Sequence, residues 1–128
     1  MSKSLSINYN YCPYCGFVLD EKIEENKARN FCPKCNWTHY PTESMAPCGI
    51  LMQDDKILLV QRNRAPRRFK WQLPSGFKDH GETSVEALKR ELQEELGVQM
   101  TKAKFVEELR SSKDPRNSGV IVSFYVVR

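Results

Sequence analysis

The chain has 128 residues and a net charge of +4, with 40% apolar and 28% charged residues, which is the composition of a small folded protein. It contains no long apolar span, repeat or low-complexity tract, which excludes membrane-spanning and repeat architectures. We therefore expect a cytoplasmic protein without membrane contacts, whose mild positive charge favours an anionic ligand.

Residues 1–40 are predicted to form a polar lead and a small metal-binding module. Two CxxC knuckles are separated by sixteen residues, a spacing typical of zinc ribbons. Four thiolates suit a structural Zn²⁺, although spacing alone leaves a rubredoxin-like iron site as the alternative. The expected reducing compartment disfavours disulfides. The predicted ligands are Cys12, Cys15, Cys32 and Cys35.

The same segment has few apolar residues, so it cannot build a sizeable core of its own. We expect the bound metal to supply the free energy that keeps it folded. Its acidic and basic residues balance, which argues against nucleic acid as a partner.

Residues 41–128 are predicted to form a second domain, which begins with a linker from Pro41 to Pro47. Cys48 has no CxxC partner and lies in an apolar run, so we expect a buried thiol. Alternating apolar residues and flanking turn residues predict the strands. These are Ala46–Met52, Lys56–Gln61, Trp71–Leu73, Ala103–Arg110 and Val120–Val127.

A basic loop from Arg62 to Lys70 carries five cations within nine residues. Guanidinium groups match the geometry of phosphate oxygens, so we expect Arg62 and one or more of the loop's other arginines to bind phosphate. A solvated loop is the alternative. Arg62 and Arg68 are the candidates that we select. Trp71 is expected to pack under the following loop, with stacking on a base as the alternative.

A helix is predicted from Ser84 to Gly97, with Thr83 as N-cap and Glu86 completing a capping box. Gly97 is the residue type that most easily ends a helix in the left-handed conformation. An apolar stripe should face the core. Its members are Val85, Leu88, Leu92 and Leu96.

Three glutamates, Glu91, Glu94 and Glu95, fall on a stripe next to the apolar one. Glu91 and Glu95 are an i,i+4 pair of like charges, which costs a few tenths of a kcal/mol in an isolated helix. This arrangement does not stabilise the fold. A Mg²⁺ or Mn²⁺ ion between the carboxylates would turn their repulsion into attraction.

Residues Gly76–Val98 match the pattern G-x5-E-x7-R-E-U-x-E-E-x-G-U, where U is apolar, at every specified position. The chain thus resembles the Nudix hydrolases, and with its CxxC pair the zinc-ribbon subgroup that acts on ADP-ribose, FAD and similar compounds. The resemblance implies an α+β fold, a mixed sheet with a packed helix in an α/β/α sandwich after the ribbon. It also implies further structure beyond Arg128, so we expect a shortened domain or completion by a second copy in a homodimer.

The resemblance further implies metal-dependent hydrolysis of the diphosphate linkage in a nucleoside diphosphate derivative, yielding a nucleoside monophosphate. Glu91, Glu94 and Glu95 would hold Mg²⁺ or Mn²⁺, with Glu91 as the candidate base. Arg90 would orient a glutamate of the motif, and Glu82 would be an outer metal ligand or the partner of Arg90. Gly76 would allow the backbone to approach a ligand.

Three alternatives remain open. The domain could bind nucleotides without turnover, or hydrolyse RNA ends. It could also be an NADH pyrophosphatase, but the signature S-Q-P-W-P-F-P-x-S of those enzymes does not occur between Gln99 and Arg128.

Overall fold

The computed structural model describes residues 9–111 and 119–128. The chain divides into two compact units, the first ending at Thr42 and the second beginning at Glu43. The sequence from 111 to 119, between the predicted strands Ala103–Arg110 and Val120–Val127, is predicted to be rich in turns, and most of it lies outside the described residues.

The first unit is built around a hairpin of β1 (Asp20–Glu24) and β2 (Lys27–Phe31), paired antiparallel from Asp20↔Phe31 to Glu24↔Lys27. The two turn residues Glu25 and Asn26 have φ angles of 49° and 64°. Positive φ at both central positions is the geometry that suits the right-handed twist of a tight hairpin. The hairpin brings the second knuckle back beside the first.

The two CxxC knuckles have the same backbone geometry. In the first, the N–H of Gly16 donates to the carbonyl of Cys12 at 2.9 Å; in the second, the N–H of Asn36 donates to Cys32 at 2.8 Å. Gly16 and Asn36 both have positive φ, of 76° and 64°, a conformation that glycine and asparagine tolerate best. The sequence thus builds one turn twice, with a pair of thiols in each.

The four predicted ligand cysteines converge. Their Sγ atoms all lie within 4.8 Å of one another. The Sγ atom of Cys12 lies 3.4 Å from that of Cys35, and the Sγ atom of Cys15 lies 3.5 Å from that of Cys32. Cys12 and Cys32 are the buried apolar side chains of this unit in the described residues. Four convergent thiols therefore take the place of a hydrophobic core, and they fit the Zn²⁺ of a closed structural site.

The second unit contains a mixed four-stranded sheet in the order β4-β3-β8-β7. The long strand β3 pairs parallel with β8 from Ser44↔Val120 to Leu51↔Val127, and β8 pairs antiparallel with β7. The mixed sheet confirms the expected fold class. Its strands are β3 (Ser44–Gln53), β4 (Lys56–Ile57), β7 (Ala103–Ser111) and β8 (Val120–Val127).

The predicted strand Lys56–Gln61 is wrong as a single element. Its first part, β4, pairs with β3, whereas its second part, β5 (Val60–Gln61), pairs with β6 (Trp71–Gln72). The chain therefore leaves the main sheet between the two parts and forms a separate hairpin, whose connection is the basic loop.

Helix α1 (Ser84–Leu96) begins and ends as predicted. Both hydrogen bonds of the capping box between Thr83 and Glu86 are present, and Gly97 ends the helix with φ 65°. Leu88 and Leu92 are fully buried and pack with Met100 and Val127. Val85 was expected on the buried stripe but is 39% exposed, because it lies in the first turn, outside this cluster.

The described residues contain this one α-helix. With 13 residues it is neither long nor apolar enough to traverse a bilayer. It packs against β3. A Cβ at Gly49 would be in ordinary contact with Leu88 of the helix at 3.5 Å, and it would be tight, at 3.0 Å, against the end of the Leu51 side chain on the same strand.

Removing the metal should unfold the first unit. Each unit carries one of the chain's two tryptophans, Trp37 and Trp71, so their indole N–H signals in NMR spectra report on the units separately. Metal analysis should find one zinc per chain, and Cys32→Ser should abolish zinc binding and collapse the Trp37 signal while the Trp71 signal persists.

Cys48→Ala is the matched control, because this buried thiol lies outside the four-cysteine cluster. It should retain the zinc and the Trp37 signal. A Cys32→Ser chain with an unchanged Trp37 signal would contradict a structural role for the metal.

Candidate active site

The second unit contains a half-open cavity of about 820 Å³ that brings carboxylates and guanidinium groups together. Helix α1 contributes Glu91 and Glu95 to its wall, and the basic loop contributes three arginines. Those arginines are Arg62, Arg64 and Arg67. A small-molecule site of this size, with a few charged groups of both signs, suits an anionic ligand that also binds a cation.

Gly76 lies in the wall of the cavity, and Glu91 occupies the space that a side chain at this position would need. A Cβ at Gly76 would lie 2.2 Å from Cδ of Glu91 and 2.5 Å from its Oε1, closer than atoms can approach. The segment is fixed against β3 by hydrogen bonds from Gly49 N–H to Pro74 and from Lys78 N–H to Met45. Glycine is required here for the position of the glutamate.

Arg90 is the centre of the hydrogen bonds around the motif. Its Nη2 and Nε atoms donate to the two carboxylate oxygens of Glu82 at 2.7 and 3.2 Å, and Nη2 also donates to the carbonyl of Phe77 at 3.2 Å. Its Nη1 donates to Oε1 of Glu91 at 2.8 Å. Glu82 is thus the partner of Arg90, and Arg90 orients Glu91.

This network sets the charge states of its members. The hydrogen bonds from Arg90, together with the N–H of Asp79, lower the pKa of Glu82 to about 2. Glu82 and Glu91 in turn raise the pKa of Arg90 above its usual value. Glu82 and Arg90, which together brace the loop against the helix, are therefore both ionised at neutral pH.

Glu95 lies outside the Arg90 network and next to Glu91 in the cavity wall. Glu95 is exposed overall but partly desolvated in the cavity wall, which raises its pKa; the negative charge of Glu91 raises it further, while Arg64 opposes the shift. A cation between Glu91 and Glu95 would reverse both unfavourable effects. The pair has the hard oxygen donors that Mg²⁺ and Mn²⁺ prefer, so it fits such an ion.

The structure does not bring Glu94 to the same place. Its side chain is 59% exposed, it is not part of the cavity wall, and one of its oxygens lies 3.5 Å from Nη1 of Arg90. Within residues 9–111 and 119–128, the four cysteines are the one group of three or more acidic, histidine or cysteine ligands close enough to share an ion. Glu94 thus remains a predicted ligand that would have to move.

The two candidate phosphate-binding residues of the basic loop, Arg62 and Arg68, lie in different surroundings. Arg62 lines the cavity, but its Nε donates to the carbonyl of Pro66 at 2.7 Å and its Nη1 donates to Oε1 of Gln72 at 3.3 Å. Arg68 is not part of the wall; its guanidinium carbon lies 4.8 Å from the ring centre of Phe69.

The expectation that Trp71 packs under the motif loop is wrong, since its side chain is 63% exposed. The short β5–β6 hairpin directs Gln72 to the cavity and leaves Trp71 facing solvent. Cys48 is buried as expected, and burial raises the pKa of its thiol. Asp79 also lines the cavity, and the spacing of residues in the sequence did not predict it as a site residue.

Two family models match the chain. Residues 44–128 match the NUDIX domain, and residues 10–41 match the zinc-ribbon model described as Nudix N-terminal. Together they cover most of the chain, and the first alone covers more than half of it.

Individual proteins give the same result. The chain is 36% identical over 88 residues to an ADP-ribose pyrophosphatase of Methanocaldococcus jannaschii, covering 69% of this chain and 52% of the relative. It is 33% identical over 101 residues to the NAD-capped RNA hydrolase NudC of Photorhabdus laumondii, covering 77% of this chain and 37% of that one. The chain thus spans about half or less of the length of these curated relatives.

A crystal structure of a NUDIX hydrolase from Nitrosomonas europaea superposes with a TM-score of 0.64 at 29% identity, covering 94% of this chain and 68% of that one. Fold, motif and family models therefore agree: the chain belongs to the Nudix family, with a zinc-ribbon unit ahead of its Nudix domain.

Proposed function

We propose that the chain hydrolyses the diphosphate linkage of a nucleoside diphosphate derivative, such as ADP-ribose or FAD, with the help of Mg²⁺ or Mn²⁺. The observation that carries the proposal is the cavity in which Glu91 and Glu95 share a wall with Arg62, Arg64 and Arg67. A diphosphate needs both kinds of group, since arginines bind its oxygens and carboxylates hold the counterion.

Glu91 and Glu95 are the residues that would hold the ion, a role supported by the carboxylate oxygens that both contribute to the cavity wall. When bound, the ion would polarise a phosphate oxygen and lower the pKa of a coordinated water. Most of the barrier in phosphoryl transfer is lowered by positioning and electrostatics, which makes the placement of these two carboxylates the main contribution of the helix.

Arg90 and Glu82 would not contact the substrate themselves but would act through Glu91. Arg90 bonds one oxygen of Glu91 and ties the loop to the helix through Glu82 and the Phe77 carbonyl. With that oxygen fixed, the carboxylate of Glu91 keeps one orientation towards the cavity. We propose that the pair are positioning residues, and that Glu91 is the candidate base.

An RNA-end hydrolase is a second candidate, favoured by the resemblance to the NAD-capped RNA hydrolases. A nucleotide-binding module without turnover is a third, although crowding Glu91 and Glu95 together would serve no purpose there. The domain boundary at residue 40, a cytoplasmic location and a homodimer stay predictions.

Turnover of a panel of compounds tests the function. ADP-ribose, FAD, NADH, nucleoside triphosphates and NAD-capped RNA would be incubated with the zinc-loaded chain and Mg²⁺, and products followed by chromatography. We expect Mg²⁺-dependent release of a nucleoside monophosphate from ADP-ribose or FAD. Preferential cleavage of capped RNA would favour the second candidate, and a folded chain that cleaves nothing would refute hydrolysis.

Glu95→Gln tests the metal pair, because it removes one charge from the cavity with little change in shape. We expect kcat to fall by at least about a hundredfold and the Mg²⁺-induced rise in Tm to shrink. Glu107→Gln, on the exposed strand β7, is the matched control and should keep both. Near-normal turnover of Glu95→Gln would exclude its role as an ion ligand.

Glu82→Gln tests the brace through its pH dependence. The pKa of Glu82 falls from an ordinary 4.5 to about 2 on folding, so its stabilising effect is complete above about pH 5 and is lost as pH falls towards 2. The variant should have a lower Tm than the wild-type chain at pH 7, and the difference should narrow by pH 3. A difference independent of pH would contradict the ionic brace; Glu107→Gln should match the wild type throughout.

A further inference from the structure

The basic loop, from Arg62 to Lys70, contains one arginine that forms hydrogen bonds within the loop and others that face the cavity. The N–H of Arg62 donates to the carbonyl of Lys70 at 2.9 Å, and the N–H of Phe69 donates back to Arg62 at 2.8 Å. The side-chain amide of Gln61 also donates to the carbonyl of Phe69 at 3.1 Å. These bonds close the loop at its base.

Arg62 holds this loop from the inside. Its guanidinium bonds the carbonyl of Pro66, four residues further along the loop, and the side chain of Gln72 on the opposite strand of the hairpin. A guanidinium engaged at two points has fewer donors left for a ligand. Its main effect is to fix the path of the chain between Asn63 and Pro66.

Arg64 and Arg67 are in the opposite situation. Both line the cavity, and their side chains form no hydrogen bond or ion pair with the residues that the structure describes. Arg64 is close enough to Glu95 for its charge to act on that carboxylate. Arg67 has φ 59°, a left-handed conformation that is uncommon for a residue with a side chain and that turns the loop at this point.

We propose that Arg64 and Arg67 bind the phosphate oxygens of the ligand, and that Arg62 is a positioning residue that fixes the loop carrying them. The identity of the ligand as a nucleoside diphosphate derivative rests on the proposed function. Arg64 and Glu95 line the same cavity, so Arg64 would contact the part of the diphosphate nearest to that carboxylate, and Arg67 would contact the remaining phosphate oxygens. Arg68, over the ring of Phe69, does not take part.

Direct binding of ADP-ribose tests this assignment without relying on turnover. Affinity is measured by calorimetry on the zinc-loaded chain with no Mg²⁺ added. Arg64→Ala and Arg67→Ala should each raise Kd by about tenfold or more, the usual loss for a charge-assisted hydrogen bond. Arg68→Ala is the matched control from the same loop and should stay within about twofold of the wild type.

The outcomes separate the two proposals. Weaker binding in Arg64→Ala and Arg67→Ala by a chain that cleaves no compound would support this inference and refute hydrolysis. Cleavage of ADP-ribose by a chain in which both variants bind it as the wild type does would overturn this inference and leave hydrolysis intact. An equal loss in Arg68→Ala would also overturn it, since any cation of the loop would then suffice.

A double-mutant cycle tests the role of Arg62. Arg62→Lys keeps the charge but loses the forked donors, so it should raise Kd in the wild-type background through the loop. In the Arg64→Ala/Arg67→Ala background it should have no further effect, because there is nothing left to position. An equal loss in both backgrounds would make Arg62 a direct ligand and overturn its assignment as a positioning residue.

Gln72→Met provides a second variant should Arg62→Lys fail to fold. It removes the acceptor of one of the Arg62 bonds and leaves every cation in place. It should reproduce the loss of affinity in the wild-type background and none in the double variant. Unchanged affinity in the wild-type background would contradict the positioning role.

Discussion

The approach of Arg90 to the carboxylates of the motif is the interaction on which the rest of the site depends. Asp79, Glu82, Glu91 and Glu94 all have an oxygen within 3.5 Å of its guanidinium. Without a cation at this position, the acidic residues of the loop and the helix would repel one another across a short distance. Arg90 therefore allows the loop to fold back on the helix, and it fixes the face that Glu91 presents.

The same interaction explains why Glu95 differs from its neighbours. The guanidinium reaches four carboxylates but not Glu95, which lies in the cavity wall with Glu91, where the charge of Arg64 partly offsets the repulsion between the two carboxylates. A partly desolvated carboxylate beside a like charge is unfavourable unless a cation joins it, and such groups are typical of functional positions. Glu82 is thus the partner of Arg90, Glu91 belongs both to the Arg90 network and to the cavity wall, and Glu95 is the carboxylate that a divalent ion between it and Glu91 would satisfy.

Local signals in the sequence predicted the elements that local interactions determine. The ends of α1 were correct because Thr83, Glu86 and Gly97 act on the backbone within a few residues of themselves. The prediction of the thiol cluster was correct because each CxxC knuckle is a turn closed by its own hydrogen bonds. The strand over 56–61 was wrong because alternation reports which residues are apolar, but not which strand they pair with.

Side-chain direction in the site was harder to predict for the same reason. A helical projection placed Glu91, Glu94 and Glu95 on one stripe, but it does not include Arg90, which draws Glu94 away from the cavity. In the basic loop no period applies, since left-handed residues such as Arg67 redirect the chain. Composition could find the loop, and only its hydrogen bonds distinguish the arginine that braces it from those that face the cavity.

The two metal chemistries of the chain are kept apart by their donor atoms. The ribbon offers four sulfurs that converge within 4.8 Å, a soft and closed set that suits zinc and leaves no position for a substrate. The cavity offers carboxylate oxygens and no thiol other than Cys48, whose pKa is raised by burial, so that it stays protonated and is a poor ligand. A hard ion gains little from the first site and a soft ion little from the second. The ribbon is therefore suited to a structural zinc ion, and the cavity is suited to the hard divalent ion that the proposed hydrolysis of a diphosphate would use.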